Sequence, residues 1–207
     1  MVLKSRLVIR RLGLAEYAPT LEAMQRFTAA RGSDTPDEIW LLQHGPVYTY
    51  GVAGRGEHLP PTDVGTPVVK VDRGGQVTWH GPGQVVAYTL IDLRRLGITV
   101  RTLVQRLEQG VLDLLEEYGV AGEHRPGAPG VYVEGAKIAA LGLRIRNGCS
   151  YHGLSVNVDC DLAPFEAIDP CGYPGLRVTR LRDFGVDASA EEAGERLVDH
   201  LTRVIAP

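Results

Sequence analysis

Apolar residues recur at helical spacing in two long stretches of the chain, and elsewhere they alternate or run continuously over strand-length segments. Leu103, Val104, Leu107, Val111, Leu114, Leu115 and Tyr118 form one stripe, which predicts a helix over 100–118, capped by Thr99 and ended by Gly119. Ser189 and Glu192 make a capping box that opens a second helix, packing Ala193, Leu197, Leu201 and Val204. A third is predicted over 18–30, with Pro19 tolerated in its first turn and Tyr17, Leu21, Met24 and Thr28 on one face. Strands are predicted over 7–11, 38–44, 66–72, 85–92, 131–133, 136–146 and 150–158. Glu134-Gly135 and Asn147-Gly148 link the last three, the second pair being a strong type I′ hairpin signal. Segments 52–67 and 163–175, rich in Gly and Pro, predict surface loops. Hairpin strands interleaved with a few helices define an α+β class, with mixed or antiparallel sheets flanked by helices, and exclude a doubly wound parallel sheet.

Composition narrows the function classes. A length of 207 residues, 44% hydrophobic and 23% charged, fits one globular domain over 1–207 with a sizeable core. A net charge of -3 and a pI near 6.1 argue against a dominant nucleic-acid or membrane-surface role, because binding phosphate needs a basic excess. No apolar run approaches the roughly 20 residues that span a bilayer, and the N-terminus lacks a secretory pattern, so a cytoplasmic location is expected. Cys149, Cys160 and Cys171 include no C-x-x-C pair, and the six histidines lack H-x-x-x-H spacing, so neither a disulfide framework nor a metal site is expected. Positive charge is spelled almost entirely as Arg, with only Lys4, Lys70 and Lys137 carrying an amine that can be deprotonated.

Three stretches could carry chemistry. Residues 73–84 read RGGQVTWHGPGQ, where glycines strip side chains from a wall and Gly81-Pro82-Gly83 supplies a tight turn. The segment predicts a hairpin walling a narrow slot, with Arg73, Thr78, His80 and Gln84 as its polar groups; a plain structural hairpin fits the same residues. In an unbroken strand from 137 to 145, Lys137 shares a face with Ala139, Leu141, Leu143 and Ile145. An ammonium there would lose hydration, which lowers its pKa from about 10.4 and makes a competent base; a strand-end lysine reaching back to water is the alternative. Cys171 lies in IDPCGYPG, a loop that Pro170 restricts and Gly172 opens to a substrate. As a nucleophile it would need a base, for which Lys137, His80 and His152 are candidates, whereas Cys149 and Cys160 read as buried and inert.

Five phrases, RGGQVTWHGPGQ, HGPVYTYG, AKIAALGLR, HGLSVNV and DPCG, resemble the signatures of the lipoyl(octanoyl) transferases over about residues 38–185. Trp79 stands where that family more often has Tyr, Ser155 where it has Ala, and Thr179-Arg180 where it has Thr-Ser. The resemblance implies the fold of the biotin and lipoate protein ligases, with Cys171 accepting the acyl group and Lys137 as its partner. It implies acyl contacts at Arg73, Gly74, Gly75, Gln76, Val77, Thr78, Trp79 and His80, at Ala140, Leu141 and Gly142, and at Gly153, Leu154 and Ser155. The implied reaction moves octanoyl from acyl carrier protein to a lysine of lipoyl domains in 2-oxoacid dehydrogenases and the glycine cleavage H protein, the first step of protein lipoylation. No cofactor is implied beyond the carrier's own phosphopantetheine, in keeping with the missing P-loop. Two readings stay open beside it: an ATP-dependent ligase of the sister families, and a non-catalytic acyl-binding module.

Overall fold

A computed structural model describes residues 7–54, 56–60, 65–169 and 175–205. The chain opens with β1 (Leu7–Ala15), α1 (Tyr17–Ala30), β2 (Asp37–His44) and β3 (Val47–Tyr50). Next come β4 (Val68–Lys70), β5 (Val77–His80), β6 (Gln84–Leu90), a single helical turn α2 (Leu93–Leu96) and α3 (Val100–Glu117). It closes with β7 (Glu123–His124), β8 (Val131–Val133), β9 (Ala136–Arg146), β10 (Cys149–Asn157) and α4 (Ala190–Ile205). A seven-stranded sheet runs β1-β2-β6-β10-β9-β8-β7, and a three-stranded sheet runs β4-β3-β5. Both are mixed, since β1 lies parallel to β2 and β3 parallel to β4.

Each face of the large sheet buries a different set of alternating residues. On one, Ile39, Leu41, Val85, Ala87, Leu154 and Val156 meet the stripe Leu103, Leu107, Val111, Leu114 and Leu115 of α3 and Leu197 and Leu201 of α4. On the other, Trp40, Leu42, Val86, Tyr88 and Tyr151 meet Met24 of α1. The helix ends follow the sequence signals: Thr99 Oγ1 accepts from Thr102 N at 3.1 Å, and Ser189 and Glu192 close their box at 3.0 and 3.2 Å. No helix among the described residues is long and apolar enough to cross a membrane.

The glycine-rich stretch departs from its predicted hairpin. β5 pairs with β3 and β6 pairs with β2 and β10, so Gly81-Pro82-Gly83 carries the chain from one sheet to the other. What turns the corner is binding to neighbouring strand ends instead of to a hairpin partner. Gly83 donates its N–H to Gln43 Oε1 at 2.8 Å, and its carbonyl accepts from Val158 and Asp159 at 3.2 and 3.1 Å. A side chain at Gly83, where φ is +83°, would meet Asp159 and Cys160 at 2.6 Å, and one at Gly81 would overlap the Trp79 ring at 2.1 Å.

Candidate active site

The sheet switch leaves a slot between the two sheets. Arg73, Gly75, Gln76, Val77, Thr78 and His80 form one wall, and Ala140, Leu141, Gly142, Gly153, Leu154 and Ser155 form the other. The space between them is about 490 Å³, counting its open mouth. Gly74 clips the walls together by donating to Leu143 O at 2.8 Å, and the Arg73 stem fills the place a side chain on Gly142 would take. The Arg73 guanidinium donates to Thr49 O at 2.8 Å and Thr49 Oγ1 at 2.9 Å. Trp79 turns the other way and packs edge-on against Phe165, so its indole shapes the slot only through the strand that carries it.

A second, smaller cavity continues the slot, sharing Thr78, Ala140 and Ser155 with it and ending at Lys137, Asn157 and Val178. Lys137 is 4% exposed. It does not share the face of Ala139 and Leu141, as an unbroken strand requires. Val131 pairs with Ala139 but Tyr132 pairs with Lys137, so Ile138 is an extra residue in β9, a bulge that resets the alternation. Ile138, Ala139 and Leu141 go to the core of α3 and α4, while Lys137 turns to the opposite face. There its Nζ lies 5.1 Å from the centre of the Tyr132 ring and donates to Pro129 O at 3.1 Å.

Hydrogen bonds tie this lysine's backbone to the corner. Lys137 N donates to Arg177 O at 2.8 Å, and Thr179 N donates to Lys137 O at 3.0 Å. Thr179 O in turn accepts from Asn157 Nδ2 at 2.9 Å, so Asn157 Oδ1 faces Gln84 Nε2, also at 2.9 Å. Gln84 then has only its Oε1 to offer His80 Nδ1, 2.6 Å away. The chain of donors fixes the imidazole as the tautomer with its proton on Nδ1 and a bare Nε2. Burial, foremost, pushes the His80 pKa down to about 3, so the ring stays neutral.

The far end of the slot is built around His152. Its φ is +60°, a left-handed conformation rare outside glycine, which puts its ring beside that of Tyr151, 5.1 Å away and nearly parallel, where alternation would put them on opposite faces. Gly153 follows because a side chain there would lie 2.0 Å from Ala87 O. His152 Nε2 donates to Asp72 Oδ1 at 2.9 Å, and Tyr151 OH donates to the other carboxylate oxygen. The hydrogen bond from His152, chiefly, lowers the Asp72 pKa to about 2, and burial lowers that of His152. His44 sits behind, accepting from Tyr88 OH at 2.7 Å on Nε2.

The slot therefore gathers every acyl-contact position expected from the sequence except Gly74 and Trp79, and adds Tyr17, Val86, Tyr88 and His152. Cys171 lies outside the described residues. The chain on either side of it is placed: Asp169 is held by His58 Nδ1 at 2.9 Å, and Arg177 to Thr179 run along Lys137. Cys160 is buried among apolar side chains, and its thiol pKa is pushed up to about 12 by that burial, which makes it inert. The relay through Asn157 and Thr179 was missed, although the run HGLSVNV put an amide one strand-length from the histidine.

Comparison with known proteins defines the class. The lipoyl protein ligase A/B catalytic domain matches residues 16–202, and the chain belongs to that family. Its fold is similar to the crystal structure of lipoate-protein ligase A bound with ATP, at a TM-score of 0.78 and 15% identity over 98% of this chain and 86% of that one. A biotin protein ligase from Aquifex aeolicus in complex with biotin and ATP matches at 0.61 and 14%, over 96% and 69%. Within the family, the octanoyltransferase of Azoarcus sp. (strain BH72) is 63% identical over 97% of this chain and 88% of the relative. The octanoyltransferase of Dechloromonas aromatica (strain RCB) is 64% identical over 94% of each. The protein is an acyltransferase of the lipoyl(octanoyl) type.

Proposed function

We propose that this chain, as one catalytic domain in the cytoplasm, transfers octanoyl from acyl carrier protein to a lysine of lipoyl domains through a thioester on Cys171. The observation that carries this reading is the lysine: a buried amine in the small cavity that continues the glycine-walled slot, its backbone N–H and C=O both bound by the segment 177–179 that follows Cys171 in the chain. The Cys171 thiol gives its proton to Lys137, and the sulfur attacks the carrier's thioester carbonyl. The carbon–sulfur bond to phosphopantetheine breaks, and that thiolate takes the proton back. The incoming amine then attacks the Cys171 thioester, loses a proton to Lys137, and leaves as an amide while the cysteine thiol is restored. Thioester exchange is nearly balanced and aminolysis runs downhill, so no nucleotide enters the cycle.

The acyl chain lies along the glycine-lined walls, where each buried methylene contributes about 0.8 kcal/mol. Of the arginines near the site, Arg177 and Arg125 flank Gly135 beside Lys137 and Tyr132 and would receive the acidic carrier. Arg180 and Arg182 are engaged with Asp183 and Asp159. The test offers an apo lipoyl domain either octanoyl carrier alone or octanoate with ATP. Modification with the carrier alone supports the transferase; modification only with octanoate and ATP assigns the chain to ligase chemistry.

A further inference from the structure

Resting on the orientation proposed above, with the acyl carbonyl at Lys137, the distal end of the slot has a consequence for chain length. His152 is 1% exposed and its ring lines that end. Asp72 accepts from Nε2, so in the neutral ring Nδ1 carries no proton. That nitrogen is buried and has no hydrogen-bond partner among the described residues. A left-handed backbone at a non-glycine residue, a carboxylate fixing the tautomer and a bare acceptor together make a built site for one hydrogen-bond donor.

The site stands at the end of an acyl-length measure. Ser155 pairs with Ala140 where the slot opens toward Lys137, and His152 pairs with Leu143 three residues further along. At the strand rise this is about 10 Å. An extended octanoyl chain, a zigzag of C–C bonds of about 1.5 Å, covers about 9 Å. We propose that His152 Nδ1 binds a water molecule that closes the slot and cancels the advantage a chain longer than eight carbons would otherwise gain. A longer chain gains methylene burial but displaces that donor and leaves the nitrogen bare, so the two effects offset. An acyl chain ending in a hydroxyl supplies the donor itself.

The experiment measures kcat/KM for transfer to an apo lipoyl domain from octanoyl, decanoyl and 8-hydroxyoctanoyl carrier, with the wild-type chain and His152→Asn. Asparagine tolerates the left-handed backbone and removes the ring. In the folded variant, verified by thermal unfolding, the decanoyl-to-octanoyl ratio should rise roughly tenfold, the factor that two buried methylenes confer. The wild-type chain should accept the hydroxylated chain within about threefold of octanoyl, where a dry apolar end would reject an unpaired hydroxyl by far more. An unchanged ratio in folded His152→Asn, or rejection of the hydroxylated chain by the wild-type enzyme, overturns the inference. If the variant does not fold, the hydroxylated substrate decides alone. Absence of octanoyl transfer by the wild-type chain would instead refute the proposed function.

Discussion

Gln84 and Asn157 face each other on adjacent strands of the large sheet and share one hydrogen bond, Nε2 to Oδ1 at 2.9 Å, which connects His80 of the glycine-rich corner through Thr179 to the backbone of Lys137. Gln84→Glu keeps an acceptor for His80 but sets a carboxylate oxygen against Asn157 Oδ1, two acceptors with no proton between them. The relay should break at that point. We expect kcat to fall between about tenfold and a hundredfold through loss of positioning, with KM for octanoyl carrier little changed. Asn157→Asp should cost a similar factor, and the double variant should lose much less than the product of the two, as coupled positions do.

Gly81 exists because Trp79 covers it. A methyl at Gly81 falls on the outer edge of the indole, so Gly81→Ala alone should destabilise the fold by about 1–3 kcal/mol. Phenylalanine at 79 lacks that edge. Urea denaturation of Gly81→Ala, Trp79→Phe and the double variant should give a favourable coupling, with the double variant more stable than additivity allows.

Carrier docking can be mapped by charge. Arg177 lies against Lys137, whereas Arg144 is exposed on β9 seven residues from Lys137, about 23 Å away at the strand rise. Arg177→Glu should raise KM for the carrier, most at low salt, and Arg144→Glu should leave it unchanged. Steady-state kinetics at two ionic strengths separates the two, and equal effects would move the docking surface.

Acid should unfold this protein through its histidines. Burial lowers the pKa of His44, His80 and His152 below the ordinary 6.5, that of His80 to about 3. The unfolded chain therefore takes up protons near pH 6.5 that the folded chain refuses, so stability is full above that pH and falls as the pH drops. His80 alone should cost about 2 kcal/mol by pH 5. Asp72, held near 2, contributes stability above about 3.8 that is lost only in stronger acid. Urea midpoints should fall between pH 7.5 and 5, and His80→Asn should flatten that slope.

Elements set by their own residues were legible in advance. The α3 stripe with Thr99 and Gly119, the capping box at Ser189, and the Asn147-Gly148 turn, where φ is +50° and +73°, all stand where local chemistry puts them. Features set by distant partners were not. The GPG corner looks like a hairpin until the ends of β2 and β10 compete for Gly83. The bulge at Ile138 leaves no mark in the alternation because both faces of β9 are buried at that point, by α3 on one side and by the second cavity on the other. Strand parity left Lys137 either buried or reaching back to water; it is buried, on the face opposite the one that parity gave. One wall of the slot was legible from its glycines and the other came only with the family resemblance, while the His152 conformation depends on Asp72 and Tyr151, 80 positions away and adjacent.

The covalent step is tested most directly by intact-mass measurement of the protein after incubation with octanoyl carrier. One added octanoyl group on the wild-type chain, absent from Cys171→Ala and formed at least about a hundredfold more slowly by Lys137→Arg, is the expected result. An acyl adduct that persists in Cys171→Ala, or full-rate acylation of Lys137→Arg, would contradict the cysteine–lysine mechanism.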